Sequence, residues 1–99
     1  MPNKLEILLS QLSEQTDTVQ RLQLLDDLVE EYADSDFIKA FETVEEMYQL
    51  ALKHNFDQFV AQALAQKAWL HVSFGNVQES FTFVTQARLI YTRLGDEKG

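Results

Sequence analysis

Apolar residues recur at steps of three and four on both sides of a single dipeptide, Gly75-Asn76, a pattern that admits little besides two helices folded back on each other. Phe56, Phe59, Val60, Ala63, Leu64, Ala68, Leu70, Val72 and Phe74 precede it, and Phe81, Val84, Ala87, Tyr91 and Leu94 come after it. Each side therefore carries an apolar stripe at helical spacing. Gly75 suits the left-handed conformation that ends a helix. Asn76, with Glu79 three residues on, has the form of a capping box for the next one. The spacing predicts helices over 57–74 and 77–94.

The chain ahead of this hairpin is punctuated in the same way. Asn3 with Glu6 opens a short helix over 4–13 through Leu5, Leu8, Leu9 and Leu12, placed to cover the open end of the later helices. Asp17 with Gln20 opens a second over 18–33, carrying Val19, Leu22, Leu25, Leu28, Val29 and Tyr32. Ser35 or Asp36 caps a third over 36–53, with Phe37, Phe41, Val44, Met47, Tyr48 and Ala51 on its stripe. Lys53-His54-Asn55 closes it with a cation and an Asn that tolerates the left-handed conformation. One Pro and three Gly among 99 residues leave few breakers for anything but an all-α chain of about five helices. At 45% hydrophobic residues the chain can bury a modest core as one domain, residues 1–99.

The order Ala68, Gly75, Ser80, Val84, Ala87 resembles a tetratricopeptide repeat, in which small residues let two helices approach and larger ones fill the gaps between them. The ending Ala87-Arg88-Leu89-Ile90-Tyr91-Thr92-Arg93-Leu94-Gly95-Asp96 resembles the close of such repeats in bacterial regulatory proteins. Leu24, Leu28, Ser35, Ala40, Val44 and Met47 stand at the same mutual offsets as Leu64, Ala68, Gly75, Ser80, Val84 and Ala87, forty residues downstream. The resemblance implies antiparallel hairpins stacked as a short right-handed solenoid. Two positions depart from the family pattern, with Lys67 replacing a large apolar residue and His71 an aromatic one. Either the register is shifted there, or the Lys67 stem packs while its amine reaches solvent.

The formal net charge of −8 disfavours a nucleic-acid partner, because a phosphate backbone selects clustered Lys and Arg. Residues 26–46 hold nine acids against Lys39, whereas 47–95 hold Asp57 and Glu79 against Lys53, Lys67, Arg88 and Arg93. A basic partner, or the basic end of another copy, is steered to the acidic end; the alternative is a well-solvated helical surface. No run is long enough to span a bilayer, so no membrane partner is expected. The absence of cysteine removes disulfides and thiolate chemistry and fits a cytoplasmic chain.

Little points to catalysis. His54 and Asp57 have no Ser or Cys nucleophile beside them, and general acid–base work needs a pocket as well as a pair. Glu42, Glu45 and Glu46 share a helical face but lack the loop of a calcium site, and a solvated face accounts for them. His71, inside an apolar stripe, reads as a packed histidine. No enzyme, metal site or cofactor is expected.

In repeats of this kind the first helix of each hairpin lines the concave surface, so the resemblance places Gln62, Ala65, Trp69, Val72 and Ser73 on a partner-binding groove. The alternative is that Trp69 packs as core, against the second helix or against Tyr32 and Val29. The repeats that clamp chaperone C-termini use Lys and Asn where this chain has Ala65 and Trp69, which argues against that activity. The resemblance implies a protein–protein interaction or dimerisation module at the head of a bacterial signalling protein, possible outputs being a diguanylate cyclase, a histidine kinase or a transcription factor. The alternative is a stand-alone adaptor or secretion-type chaperone holding an amphipathic client. Gly95-Asp96-Glu97-Lys98-Gly99 resembles the linker to a further repeat, so the chain reads as an N-terminal fragment whose last hairpin exposes apolar surface and pairs with another chain, as a dimer or higher homo-oligomer.

Overall fold

The computed structural model describes residues 1–95, which form α1 (Lys4–Glu14), α2 (Thr18–Ser35), α3 (Phe37–Lys53), α4 (Asp57–Ser73) and α5 (Val77–Arg93). No strand occurs among the described residues. The largest departure from the expected ends is in α2, which runs on from residue 33 to Ser35. Ser35 Oγ donates back to Glu31 O at 3.3 Å, and Asp36 alone makes the turn into α3. The expected linker lies, beyond Gly95, outside the described residues.

Three helix starts are capped as the spacing predicts. Asn3 Oδ1 accepts from Glu6 N at 2.8 Å, Asp17 Oδ2 from Gln20 N at 3.0 Å and Asp36 Oδ1 from Lys39 N at 3.2 Å. Each satisfies an amide that a helix start leaves open.

The capping box expected at Asn76 and Glu79 does not form. Gly75, at φ 95°, is the left-handed residue of a Schellman turn in which Gly75 N donates to Val72 O at 3.0 Å and Asn76 N to His71 O at 2.7 Å. Asn76 therefore closes α4 and opens α5 in one residue. Its ψ is 68°, against 175°, 126° and 89° at the caps of α1, α2 and α3. From there its amide turns toward His71, Nδ2 lying 3.5 Å from Nδ1, and makes no cap to α5. The α3–α4 turn has the same form: Asn55 takes φ 58°, and Phe56 N donates to Ala51 O at 3.0 Å.

The helices pack in chain order, each on the next, and α2 also touches α4. The α2–α3 hairpin stacks on the α4–α5 hairpin through α3 and α4, while α1 covers α2. Arg21 fixes that cover, its Nη1 donating to Leu12 O at 3.0 Å and to Gln15 O at 2.8 Å. Leu22, Leu25, Leu28 and Val29 of α2, Ala40, Val44, Met47 and Ala51 of α3, and Val60, Ala63, Leu64 and Leu70 of α4 form the buried core. On α5 only Ser80 and Ala87 are buried, while Val77, Phe81 and Val84, and Leu94 just past its end, stay exposed. Much of the expected α5 stripe thus faces outward, because among the described residues α5 is flanked by α4 alone.

Candidate partner-binding surface

The neighbours of α4 leave one of its faces uncovered, and at 3.6 residues per turn that face carries Gln62, Ala65, Trp69, Val72 and Ser73. Trp69 and Val72 are 48% and 50% exposed. Ala65 and Ser73 are also exposed, and Gln62 is half-buried. Val29 and Tyr32, by contrast, are buried. Trp69 is therefore not a core side chain.

Trp69 lines a surface hollow of about 410 Å³ with Gln66 and with Glu30 and Asp34 of α2. Asp26, Glu30 and Asp34 stand four apart and so make one stripe on α2. The α2–α4 spacing is pinned by Gln66 Nε2, which donates to Asp26 Oδ1 at 2.8 Å. The result is a cleft with an indole on one wall and carboxylates on the other. Ala65 belongs to a different hollow, of about 160 Å³, with Val84, Ala87, Arg88 and Tyr91. The five residues share a face, but Trp69 and Ala65 open onto opposite edges of it.

The other side of α4 resolves the two departures from the repeat pattern. The Lys67 stem does pack, its side chain being only 14% exposed, but the amine does not stand free in solvent. It lies 2.7 Å from Glu45 Oε1 and 4.2 Å from the centre of the Tyr48 ring. The position accepts a lysine because α3 supplies a carboxylate and an aromatic face to receive it. His71 packs between Phe41 and Phe83, with ring centres 5.1 Å away in each case.

The Lys67 hydrogen bond, helped by a second from Gln49 Nε2 at 2.9 Å, holds the Glu45 carboxyl below the ordinary glutamate range. A carboxyl depressed on folding stabilises the fold above its unfolded value, about 4.3, and that contribution is lost as the pH falls through the folded value. Because Glu45 is 48% exposed, the effect stays under about 1 kcal/mol. Glu45→Gln should therefore be less stable than the parent at pH 7. The gap should close on acidification below about pH 4; denaturant titrations across that range check it, and a gap that stays constant contradicts it.

The His54 and Asp57 side chains are engaged structurally. Asp57 Oδ2 accepts from Arg93 Nη2 at 3.1 Å, tying α4 to α5, and His54 stacks on Phe56. Among the described residues no three of His, Cys, Asp and Glu are grouped to hold a metal ion, and no helix is long and apolar enough to cross a membrane.

Two stacked hairpins with small residues at their crossings and an uncovered first-helix face are the geometry of a tetratricopeptide domain. A family model described as the SusR N-terminal TPR domain matches residues 2–90. The chain belongs to that family. No curated protein and no solved structure matches it. TPR domains are protein–protein interaction modules, and in this one the α2–α3 and α4–α5 hairpins are the repeats and α1 their cover. Sequence reasoning missed three cleft residues, Glu30, Asp34 and Gln66. The four-residue spacing of Asp26, Glu30 and Asp34 was a visible signal of a shared face, but which helix that face meets depends on how the TPR hairpins stack.

Proposed function

We propose that this TPR domain binds a protein partner through the exposed face of α4, and that the cleft around Trp69 takes a segment carrying basic side chains. The observation that carries the reading is a half-exposed indole set against the carboxylates of Glu30 and Asp34. An exposed Trp beside a hollow is the kind of anchor that dominates interface energetics, and its ring face together with two carboxylates favours a guanidinium or an ammonium. Gln62, Val72 and Ser73 extend the same face along the helix. The finer placement is at the head of a bacterial signalling protein ahead of an output domain such as a diguanylate cyclase. The family's description as an N-terminal domain supports the position at the head of a chain and nothing finer, and the reading frame beyond Gly99 tests the signalling output.

Trp69→Ala is expected to weaken binding of a Lys- and Leu-containing amphipathic peptide by roughly 30-fold or more, the cost of losing a hot-spot aromatic. Stability should change by far less than the 3–5 kcal/mol of a core aromatic truncation. Fluorescence anisotropy and thermal melts on the same samples decide it. Unchanged affinity, or a melt that collapses, removes the reading.

A second reading, self-association as a dimer, is favoured by the exposed apolar residues of α5. Sedimentation over a range of concentrations tests it, and a monomer throughout excludes it.

A further inference from the structure

The carboxylates along α2 are not equivalent. Asp26 is engaged by Gln66 Nε2 at 2.8 Å, and Glu31 by Lys4 Nζ at 3.3 Å. Among the described residues Glu30 and Asp34 have no hydrogen-bond or ion-pair partner, and neither does the Trp69 indole N–H. These three open groups line one hollow, together with Gln66. Gln66 adds an acceptor to them. An ionised carboxylate only accepts, so the amide turns its nitrogen to Asp26 and keeps Oε1 free. Among the described residues no buried side-chain nitrogen or oxygen lacks a partner, so that oxygen is reached from solvent. The hollow therefore gathers two carboxylates, an amide oxygen and a flat indole face.

The chain itself shows how it seats each kind of cation. Lys67, an ammonium, is enclosed: its side chain is mostly buried, one Glu45 oxygen lies 2.7 Å from Nζ, and the Tyr48 and Phe83 ring centres lie 4.2 Å and 5.5 Å from it. Arg21, a guanidinium, instead spans two acceptors, a single Nη1 donating to Leu12 O and Gln15 O. The Trp69 hollow is of the second kind. It is open, it offers one ring, and its two carboxylates stand one helical turn apart, a spacing that suits a planar fork better than a point charge. A strongly hydrated ammonium keeps its water at such a site, whereas a guanidinium loses little by laying its face on the indole.

We propose that the Trp69 cleft selects arginine: an arginine of a partner protein lays its guanidinium on the indole and donates to Glu30, Asp34 and Gln66 Oε1. This rests on the reading of the cleft as a site for a basic segment, and narrows it. The chain's own arginines are placed elsewhere. Arg21 holds α1, Arg93 pairs with Asp57 at 3.1 Å, and Arg88 lines the hollow on the other edge of α4.

The probes are amphipathic Leu-containing peptides of one sequence, free of Trp, whose basic positions are all Lys, all Arg or all citrulline; citrulline keeps the planar shape without the charge. Anisotropy of labelled peptides gives the affinities, and emission from Trp69, the sole tryptophan, reports contact with the cleft. The Arg peptide is expected to bind about tenfold or more tightly than the Lys peptide, through stacking and charge-assisted hydrogen bonds together. The citrulline peptide should bind more weakly than either. Trp69→Leu, which keeps apolar bulk and loses the ring, should bring the Arg and Lys affinities within about twofold of each other. Glu30→Gln combined with Asp34→Asn should weaken the Arg peptide by about tenfold or more. All three replaced side chains are exposed, and circular dichroism verifies that the variants fold. Equal affinity for Arg and Lys, citrulline bound as tightly as Arg, or an Arg preference that survives Trp69→Leu overturns the proposal while the basic-segment reading stands. Binding of none of the peptides removes both. Self-association of the unmodified chain that Arg88→Ala and Trp69→Leu each abolish also overturns the proposal, by making a second copy the occupant.

Discussion

Leu70→Ala is expected to lower the stability of the domain by about 2–5 kcal/mol, the range for emptying a fully enclosed aliphatic site. Leu70 is 0% exposed and sits on α4, the helix that joins the two hairpins. A cavity there loosens the packing of α4 on its neighbours, since core side chains move too little to fill it. In a domain of about 100 residues each kcal/mol moves the melting temperature by roughly 4–8 °C, so the fall should be about 10 °C or more. Val72→Ala, two residues further along the same helix but half exposed, should cost under about 1 kcal/mol. Equal effects at the two positions would contradict the assignment of the α4 faces.

The second large effect comes from adding volume. Ala40 is 0% exposed on the inner side of α3, where it meets α2, and Ser80 is its counterpart on α5. Ala40→Phe forces a ring into a crossing that admits a methyl group, and overpacking of this kind costs about 1–3 kcal/mol, or more where the backbone cannot yield. We expect the upper part of that range, because α2 and α3 are joined by the single residue Asp36 and have little freedom to separate. Ile38→Phe, at a position 74% exposed, is the control and should be nearly neutral. Denaturant midpoints of the two variants measure the difference.

Both effects depend on features already visible in the residue pattern, namely which positions are small and which apolar positions share a face. The helices, three of the caps and the left-handed Asn55 were legible because each depends on a few neighbouring residues. Asn76 misled for a local reason as well: one residue serves two helices, and the Schellman turn of the first determines its backbone. Lys67 and Arg21 were not legible, since their partners, Glu45 and the carbonyls of Leu12 and Gln15, are brought to them by other helices. The repeat resemblance likewise placed Gln62, Ala65, Trp69, Val72 and Ser73 on one face of α4 without revealing that Trp69 opens toward α2 and Ala65 toward α5. The outward turn of Val77, Phe81 and Val84 is set by the lack of a second neighbour beside α5, which an apolar stripe does not specify.

Resonance-by-resonance mapping of an isotope-labelled chain titrated with the Lys- and Leu-containing peptide tests the proposed binding surface most directly. Shifts concentrated at the Trp69 indole N–H, Gln62, Val72 and Ser73 of α4 and at Glu30 and Asp34 of α2 are the predicted result. Shifts confined to other surfaces, or none at a peptide concentration that saturates the anisotropy signal, would contradict it.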